Sequence, residues 1–364
     1  MRLKRTSSPF FDSGNLNSPT VSFDKFRNSV AALGLSLISC TSDHVPPSNV
    51  SNITGRDPTN YVSLNWHGAS FRVGDRQVLV TYDSACSESE ITQVKSRLNS
   101  EGAIQSGSIP DIRMYQYEFS RPVDLNHVLT NLESERCVTV ASPNIMVVPQ
   151  VDPIPTPSAY DVYDGFWWLN TIRAREAWGV TTGSTSVPIG ILDSGISVAT
   201  GQFRDKSISY GWRCYDNSDQ NNYSFARSDS RSTPFCPVSG SYTPSDHGTW
   251  VASIAGSRGD DNFGGVGVAW QNPLISVDLY GGRTTTNYYV LSQGIVLAMN
   301  MGARVINASM VPCHDNGSDC VSHGVTIDDT TNFRYGIMGA VNEAYRRNVL
   351  LDRKSTRLNS SHRL

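Results

Sequence analysis

The feature that most limits the fold is Val187–Leu192 (VPIGIL), a short apolar run closed by Asp193-Ser194-Gly195. A run of this length, apolar on successive residues, reads as a strand buried on both faces, the kind that parallel sheets use. The downstream sequence keeps the same rhythm. Thr249–Ala255 has helical spacing, Leu274–Leu279 is a strand, Tyr288–Met301 a helix and Ala303–Ser309 (ARVINAS) a strand. Asn332–Arg347 is a further helix, and Asn348–Leu351 is the start of another strand. Strands alternating with helices predict a parallel α/β sheet over residues 160–351.

A different order precedes it. Gln77–Thr81 (QVLVT) predicts a strand, and Glu88–Asn99 a helix with Ile91, Val94 and Leu98 on one face. Arg113–Phe119 alternates as a strand, Leu125–Ser134 has helical spacing, and Cys137–Val148 returns as a strand. With a weakly marked strand before Gly107, residues 75–150 read as β-α-β-β-α-β, a ferredoxin-like α+β arrangement. In that topology the last strand lies antiparallel beside the first, which brings Cys86 near Cys137. The Pro-rich stretch Asp152–Ser158 marks a linker over residues 151–159.

Composition matters most at the N-terminus. Only 17% of residues are charged, against about 25% in an average soluble protein, so Ser, Thr, Asn and Gln must cover the surface, as is common in exported proteins. A net charge of −3 with scattered basic residues excludes a nucleic-acid groove. Behind Lys25-Phe26-Arg27, Ser29–Ser39 is apolar; it is too short for the ~20 residues of a membrane span and suits a signal-peptide core. It ends in Leu37-Ile38-Ser39-Cys40, which resembles the bacterial lipoprotein box and implies membrane anchoring through a lipidated Cys40. An ordinary signal peptide with a chance cysteine is the alternative. Residues 1–40 are therefore read as leader, with the first 24 as a miscalled upstream start, and residues 41–74 as a flexible tether.

Seven cysteines leave six once Cys40 is set aside. They read as three disulfides, Cys86–Cys137, Cys214–Cys236 and Cys313–Cys320, and no C-x-x-C speaks for zinc. At the other end, Asp352–Leu364 (DRKSTRLNSSHRL) is basic and without periodicity. Asp352–His362 resembles the translation of a sequencing-library adapter, so residues 352–364 are kept out of the fold argument; a disordered tail is the alternative.

Asp193 falls at the C-terminal end of a strand, where the active sites of open α/β sheets gather. His247 follows 54 positions later (247 − 193) in Asp246–Gly256, DHGTWVASIAG. Asp-Ser-Gly alone also suits an aspartic protease. That reading needs a second copy, and Asp83-Ser84-Ala85 lacks the glycine. Together, the strand with Asp-Ser-Gly and the later His-Gly-Thr-x-Val-Ala resemble the subtilisin family of serine proteases. Trp167–Asn170 through Glu176–Trp178, Gly264–Ala269 (GGVGVA) and Val305–Met310 (VINASM) resemble further segments of that family. Residues 75–150 resemble its propeptide.

The resemblance implies an α/β, parallel-sheet subtilisin-like catalytic domain, incomplete here, behind a ferredoxin-like propeptide domain. It implies a serine endopeptidase in which Asp193 orients His247 and His247 is the general base. Ser309 and Met310 match positions that bind substrate backbone. Peptide or protein substrates, the chain's own propeptide as intramolecular inhibitor and a monomeric state follow from the same likeness. No cofactor is required for catalysis, and the Asp260-Asp261-Asn262 turn resembles the family's calcium loop, an acidic surface turn being the alternative. Val311 departs from the family's glycine beside the first specificity pocket, and Trp250 from its small residue or histidine. No Gly-Thr-Ser occurs in the sequence, and the family's oxyanion-hole Asn follows the strand at residues 348–351. The expectation is an inactive N-terminal fragment of an exported bacterial protease precursor, with a propeptide-type inhibitor or a pseudoenzyme as the alternative.

Overall fold

A computed structural model describes residues 53–352 except 150–166, 200, 217, 220, 229–245, 260–264, 316–319 and 322–328. The leader with Cys40, the Pro-rich linker, the Asp260–Asn262 turn and the adapter-like tail past Asp352 lie outside the described residues.

The first part of the chain runs β1 (Thr54–Arg56), β2 (Tyr61–Trp66), β3 (Ala69–Tyr82), α1 (Glu88–Ser100), β4 (Ala103–Ile109), β5 (Met114–Phe119), α2 (Leu125–Glu133) and β6 (Val138–Pro149). Strands β6-β3-β5-β4 lie side by side and all antiparallel, the ferredoxin-like order. The core face of β3 carries Val78 and Val80, both fully buried, and full burial of each such side chain is worth about 1.5–3 kcal/mol. Helix α1 starts where Ser87 and Glu90 form a capping box: the Ser87 hydroxyl accepts from the Glu90 N–H, and the Glu90 carboxylate accepts the Ser87 N–H at 2.9 Å. Ile91, Val94 and Leu98 then bury one face of it. Cys86 and Cys137 are joined, with Cα atoms 5.8 Å apart.

Residues 53–74, read from composition as part of a tether, are strands. β2 and the first half of β3 form a hairpin turning at His67-Gly68, both with positive φ (49° and 81°), the backbone that a tight hairpin turn requires. Trp66, Phe71 and Val73 are buried, while most of β2 is half-exposed or exposed, Val62 included, so the hairpin's apolar residues do not mark out one face in the sequence. β1 is three residues long and finds its partners far away in sequence.

The second part runs α3 (Trp167–Thr171), α4 (Ala174–Trp178), β7 (Ile189–Asp193), β8 (Ile208–Tyr215), β9 (Asn222–Ser228), α5 (Asp246–Gly256), β10 (Leu274–Asp278), β11 (Thr286–Asn287) and α6 (Tyr288–Asn300). It continues with β12 (Val305–Ala308), β13 (Met310–Pro312), β14 (His314–Asp315), β15 (Cys320–Val321), α7 (Asp329–Arg346) and β16 (Leu350–Asp352). β8-β10-β7-β12-β16 form the parallel sheet. The chain first builds to one side of β7, then crosses to the other. Every residue of β7 and β10 is buried, as a sheet covered on both faces demands. β9 lies antiparallel on β8, and β1 bridges β9 to β4, so the two sheets share one hydrogen-bonded path.

Cys214 and Cys313 are also disulfide-bonded, while the side chains of their expected partners, Cys236 and Cys320, lie outside the described residues. Among the described residues no helix is long and apolar enough to cross a membrane.

Candidate active site

Asp193 ends β7, in register with Asp278 of β10, and its carbonyl accepts the Leu279 N–H at 2.9 Å. This is the C-terminal edge of the parallel sheet, beside the strand where the connections change direction, the place where open α/β folds gather their ligands. The residue is 1% exposed. A carboxylate this deep requires partners. It receives the backbone N–H of Ser194 at 2.8 Å and the Ser194 hydroxyl at 3.2 Å, both on Oδ1.

The other partner comes from α5. Nδ1 of His247 lies 2.9 Å from Oδ1 and 3.0 Å from Oδ2 of Asp193. An ionised carboxylate only accepts hydrogen bonds, so Nδ1 carries the proton and the basic nitrogen is Nε2, across the ring. The His247 side chain remains partly exposed, at 24%. One wall of the pair is buried and the other meets solvent.

Three neighbours make this approach possible. A Cβ on Gly248 would sit 2.4 Å from the Gly195 carbonyl oxygen and 3.1 Å from Asp193, so only glycine lets the first turn of α5 reach the strand end. The Gly248 N–H donates to Ser194 Oγ at 3.1 Å. Thr249 Oγ1 accepts the Ser197 N–H at 2.9 Å. The Ser-Gly after the aspartate and the Gly-Thr after the histidine thus bind one turn to the other. The sequence displays these residues inside the two motifs; the bonds between them depend on a separation of more than fifty residues.

Residues 184–351 match the model of the subtilase family, and both members of the Asp–His pair fall inside that match. Residues 184–351 belong to the subtilase family. A thermophilic serine proteinase from Bacillus sp. (strain AK1) is 25% identical over 261 residues, 67% of this chain and 55% of that protein. Fervidolysin from Fervidobacterium pennivorans, a keratinolytic enzyme related to subtilisin, superposes with a TM-score of 0.52 at 16% identity. That likeness covers 84% of this chain and 43% of fervidolysin, and it shows the shared fold. The chain spans about half the length of these relatives.

The expected substrate-binding residues lie on another edge of the subtilase segment. Ser309 Oγ accepts from the Asn307 amide at 2.9 Å. Met310 is buried and opens β13, which pairs antiparallel with the end of β6: Met310 opposite Pro149, Val311 opposite Val148, Pro312 opposite Val147. On its other side β6 pairs with β11, Thr286 opposite Val147 and Asn287 opposite Met146. Residues 146–149 therefore run as an extended strand between two edges of the segment 184–351. Sequence reading assigns one of these edges and misses the other, because β11 has only two residues. Trp250, on the helix that carries His247, is 55% exposed. A groove of about 840 Å³ lies between β1, β4 and β9 and is not lined by Asp193 or His247.

Proposed function

We propose that this chain carries the aspartate and histidine of a serine-type endopeptidase, in a precursor whose residues 75–150 act as its intramolecular inhibitor. The observation that supports the chemistry is the buried Asp193 carboxylate against Nδ1 of His247. Such a carboxylate fixes the tautomer, leaves Nε2 as the base and stabilises the imidazolium that forms when a hydroxyl proton is taken. His247 Nε2 would accept the proton of the attacking serine and return it to the leaving amine, while the serine oxygen bonds to the scissile carbonyl carbon. The nucleophile and the oxyanion-hole Asn belong to motifs that this sequence does not contain. The fragment by itself is then inactive, since loss of the serine costs on the order of 10⁶-fold in turnover in this class.

The inhibitor reading is supported by residues 146–149 between β11 and β13. A strand laid on a sheet edge is how extended peptides are commonly recognised, and Ser309 and Met310 lie at that edge. Export from a bacterial cell, with lipid attached at Cys40, completes the proposal; metabolic labelling with palmitate, lost in Cys40→Ser, tests that part.

The decisive experiment is to sequence the source DNA across the Leu351 codon and express the uninterrupted reading frame. The expected result is a Gly-Thr-Ser-like turn downstream, labelling by a fluorophosphonate, and a fall of about 10⁴-fold in kcat for Asp193→Asn. A native gene that ends in the Asp352–Leu364 tail would overturn the catalytic reading and favour a propeptide-type inhibitor or a pseudoenzyme.

A further inference from the structure

Asp57 follows β1, in the first part of the chain, yet its carboxylate is held from the catalytic part. Oδ1 receives the Arg213 guanidinium and, at 3.2 Å, the amide of Asn287. Oδ2 receives the Tyr215 hydroxyl at 3.0 Å and lies 3.5 Å from Nε of Arg283. The Arg213 side chain is completely buried and that of Asp57 is 6% exposed. The walls are aromatic: the Arg213 guanidinium stands 4.0 Å from the centre of the Tyr223 ring, and that of Arg283 stands 4.5 Å from the Tyr215 ring.

Three features distinguish this from an ordinary ion pair. All four partners of the carboxylate belong to one continuous wall, formed by β8, the 280–283 turn and β11, while the N-terminal part brings the carboxylate and, beside it, the Tyr61 hydroxyl, which bonds to Asn287. Two guanidinium groups face one carboxylate, so the wall is cationic by itself. A buried Arg213 left without its anion would be strongly destabilising. Burial pulls the Arg213 pKa down most strongly, but the charge and hydrogen bond of Asp57 together with Tyr215 and Tyr223 outweigh it and the net shift is upward, so the group stays cationic. Aromatic faces around guanidinium add to this by cation–π attraction.

The wall also reaches the track that residues 146–149 follow. Asn287 pairs through its backbone with Met146 and gives its side-chain amide to Asp57. One residue therefore touches both the strand lying on the edge and the carboxylate beside it.

We propose that Arg213, Arg283, Tyr215 and Asn287 form a binding site for a peptide-borne carboxylate, filled here by Asp57 and open to an acidic substrate side chain once the N-terminal module leaves. The last step rests on the reading of that module as removable; the site itself does not. In the precursor Asp57 is then a second anchor of the module, separate from residues 146–149.

Acetate is the probe. In the full chain, Asp57→Ala creates the space for it, and thermal unfolding is followed in sodium acetate, in sodium chloride at equal ionic strength, and in acetamide. The expected result is a saturable rise of the D57A midpoint in acetate alone, larger than any rise of the parent chain. Adding Arg283→Gln should weaken the apparent acetate affinity several-fold, as expected for loss of one partly exposed ion pair. If D57A does not fold in chloride, refolding yield is read instead, and recovery in acetate but not in chloride or acetamide supports the site. Equal effects of acetate and chloride, or of acetate on D57A and the parent, overturn it. No step of this test requires hydrolysis, so its failure is separate from failure of the protease reading.

Discussion

Asp193 and His247 were legible because their motifs are local, whereas the residues that hold other charges in place were not. Arg213 and Asp57 stand 156 positions apart, and neither has a sequence context that names the other. Lys206 is a second case. Its ammonium donates to the Trp270 carbonyl at 2.7 Å while its side chain is mostly buried, and burial brings its pKa down to about 8. In the unfolded chain a lysine titrates near 10.4. Below pH 8 the folded protein bears the full cost of the buried charge. Between about 8 and 10.4 the unfolded chain binds more protons, so this group makes stability rise with pH. Lys206→Met removes the titration. Urea midpoints should show the stability of the variant relative to the parent to be highest below pH 8, falling as pH approaches 10. A difference independent of pH would mean that the amine is effectively solvated.

At the scale of elements, the ferredoxin-like part was legible because its helices carry apolar residues three and four apart, β3 contains the largely β-branched run Val78–Thr81, and β6 is rich in Val. The parallel strands β7, β10 and β12 were legible as apolar runs. β8 and β9 were not. Ile208–Tyr215 contains Gly, Arg and Cys, and Asn222–Ser228 is largely polar, yet Trp212, Cys214, Tyr223 and Phe225 are all buried. Trp212 and Cys214 are buried in a core shared with Ile189, Phe203 and Leu274, and Tyr223 and Phe225 in one shared with the N-terminal part, neighbours that a window of sequence does not contain. Cysteine spacing gave a firmer signal, and Cys86–Cys137 closes a loop of 51 residues between the start of α1 and the start of β6. Chain-entropy arguments give such a bridge roughly 4 kcal/mol, less any relaxation of the reduced chain. The double variant Cys86→Ala/Cys137→Ala should lose about 2–4 kcal/mol in urea unfolding of the N-terminal part. An unchanged midpoint would show that the helix and strand are positioned without it.

For the whole molecule, the decisive element is the smallest one. β1 pairs with β4 through Thr54 and with β9 through Thr54, Gly55 and Arg56, and so joins an antiparallel sheet to a parallel one. Thr54 also offers its carbonyl to the Tyr289 hydroxyl at 2.8 Å and to the Gln293 amide at 2.9 Å, tying the same strand to α6. Gly55 permits this contact. A Cβ there would lie 2.4 Å from the Tyr223 hydroxyl and 2.7 Å from the Tyr289 ring, and both rings are buried. Gly55→Ala must therefore push β1 off two aromatic residues, an overpacking that typically costs about 1–3 kcal/mol. The loss should appear as a lower urea midpoint together with faster amide exchange at Thr54–Arg56 and Asn222–Ser224. The core of β3, β5 and β6 should keep its protection, because its own packing does not pass through Gly55. If exchange rises uniformly across both sheets, β1 is part of one cooperative core; if it rises only at the junction, the N-terminal part is a body docked on the parallel sheet, as the proposed inhibitor role requires.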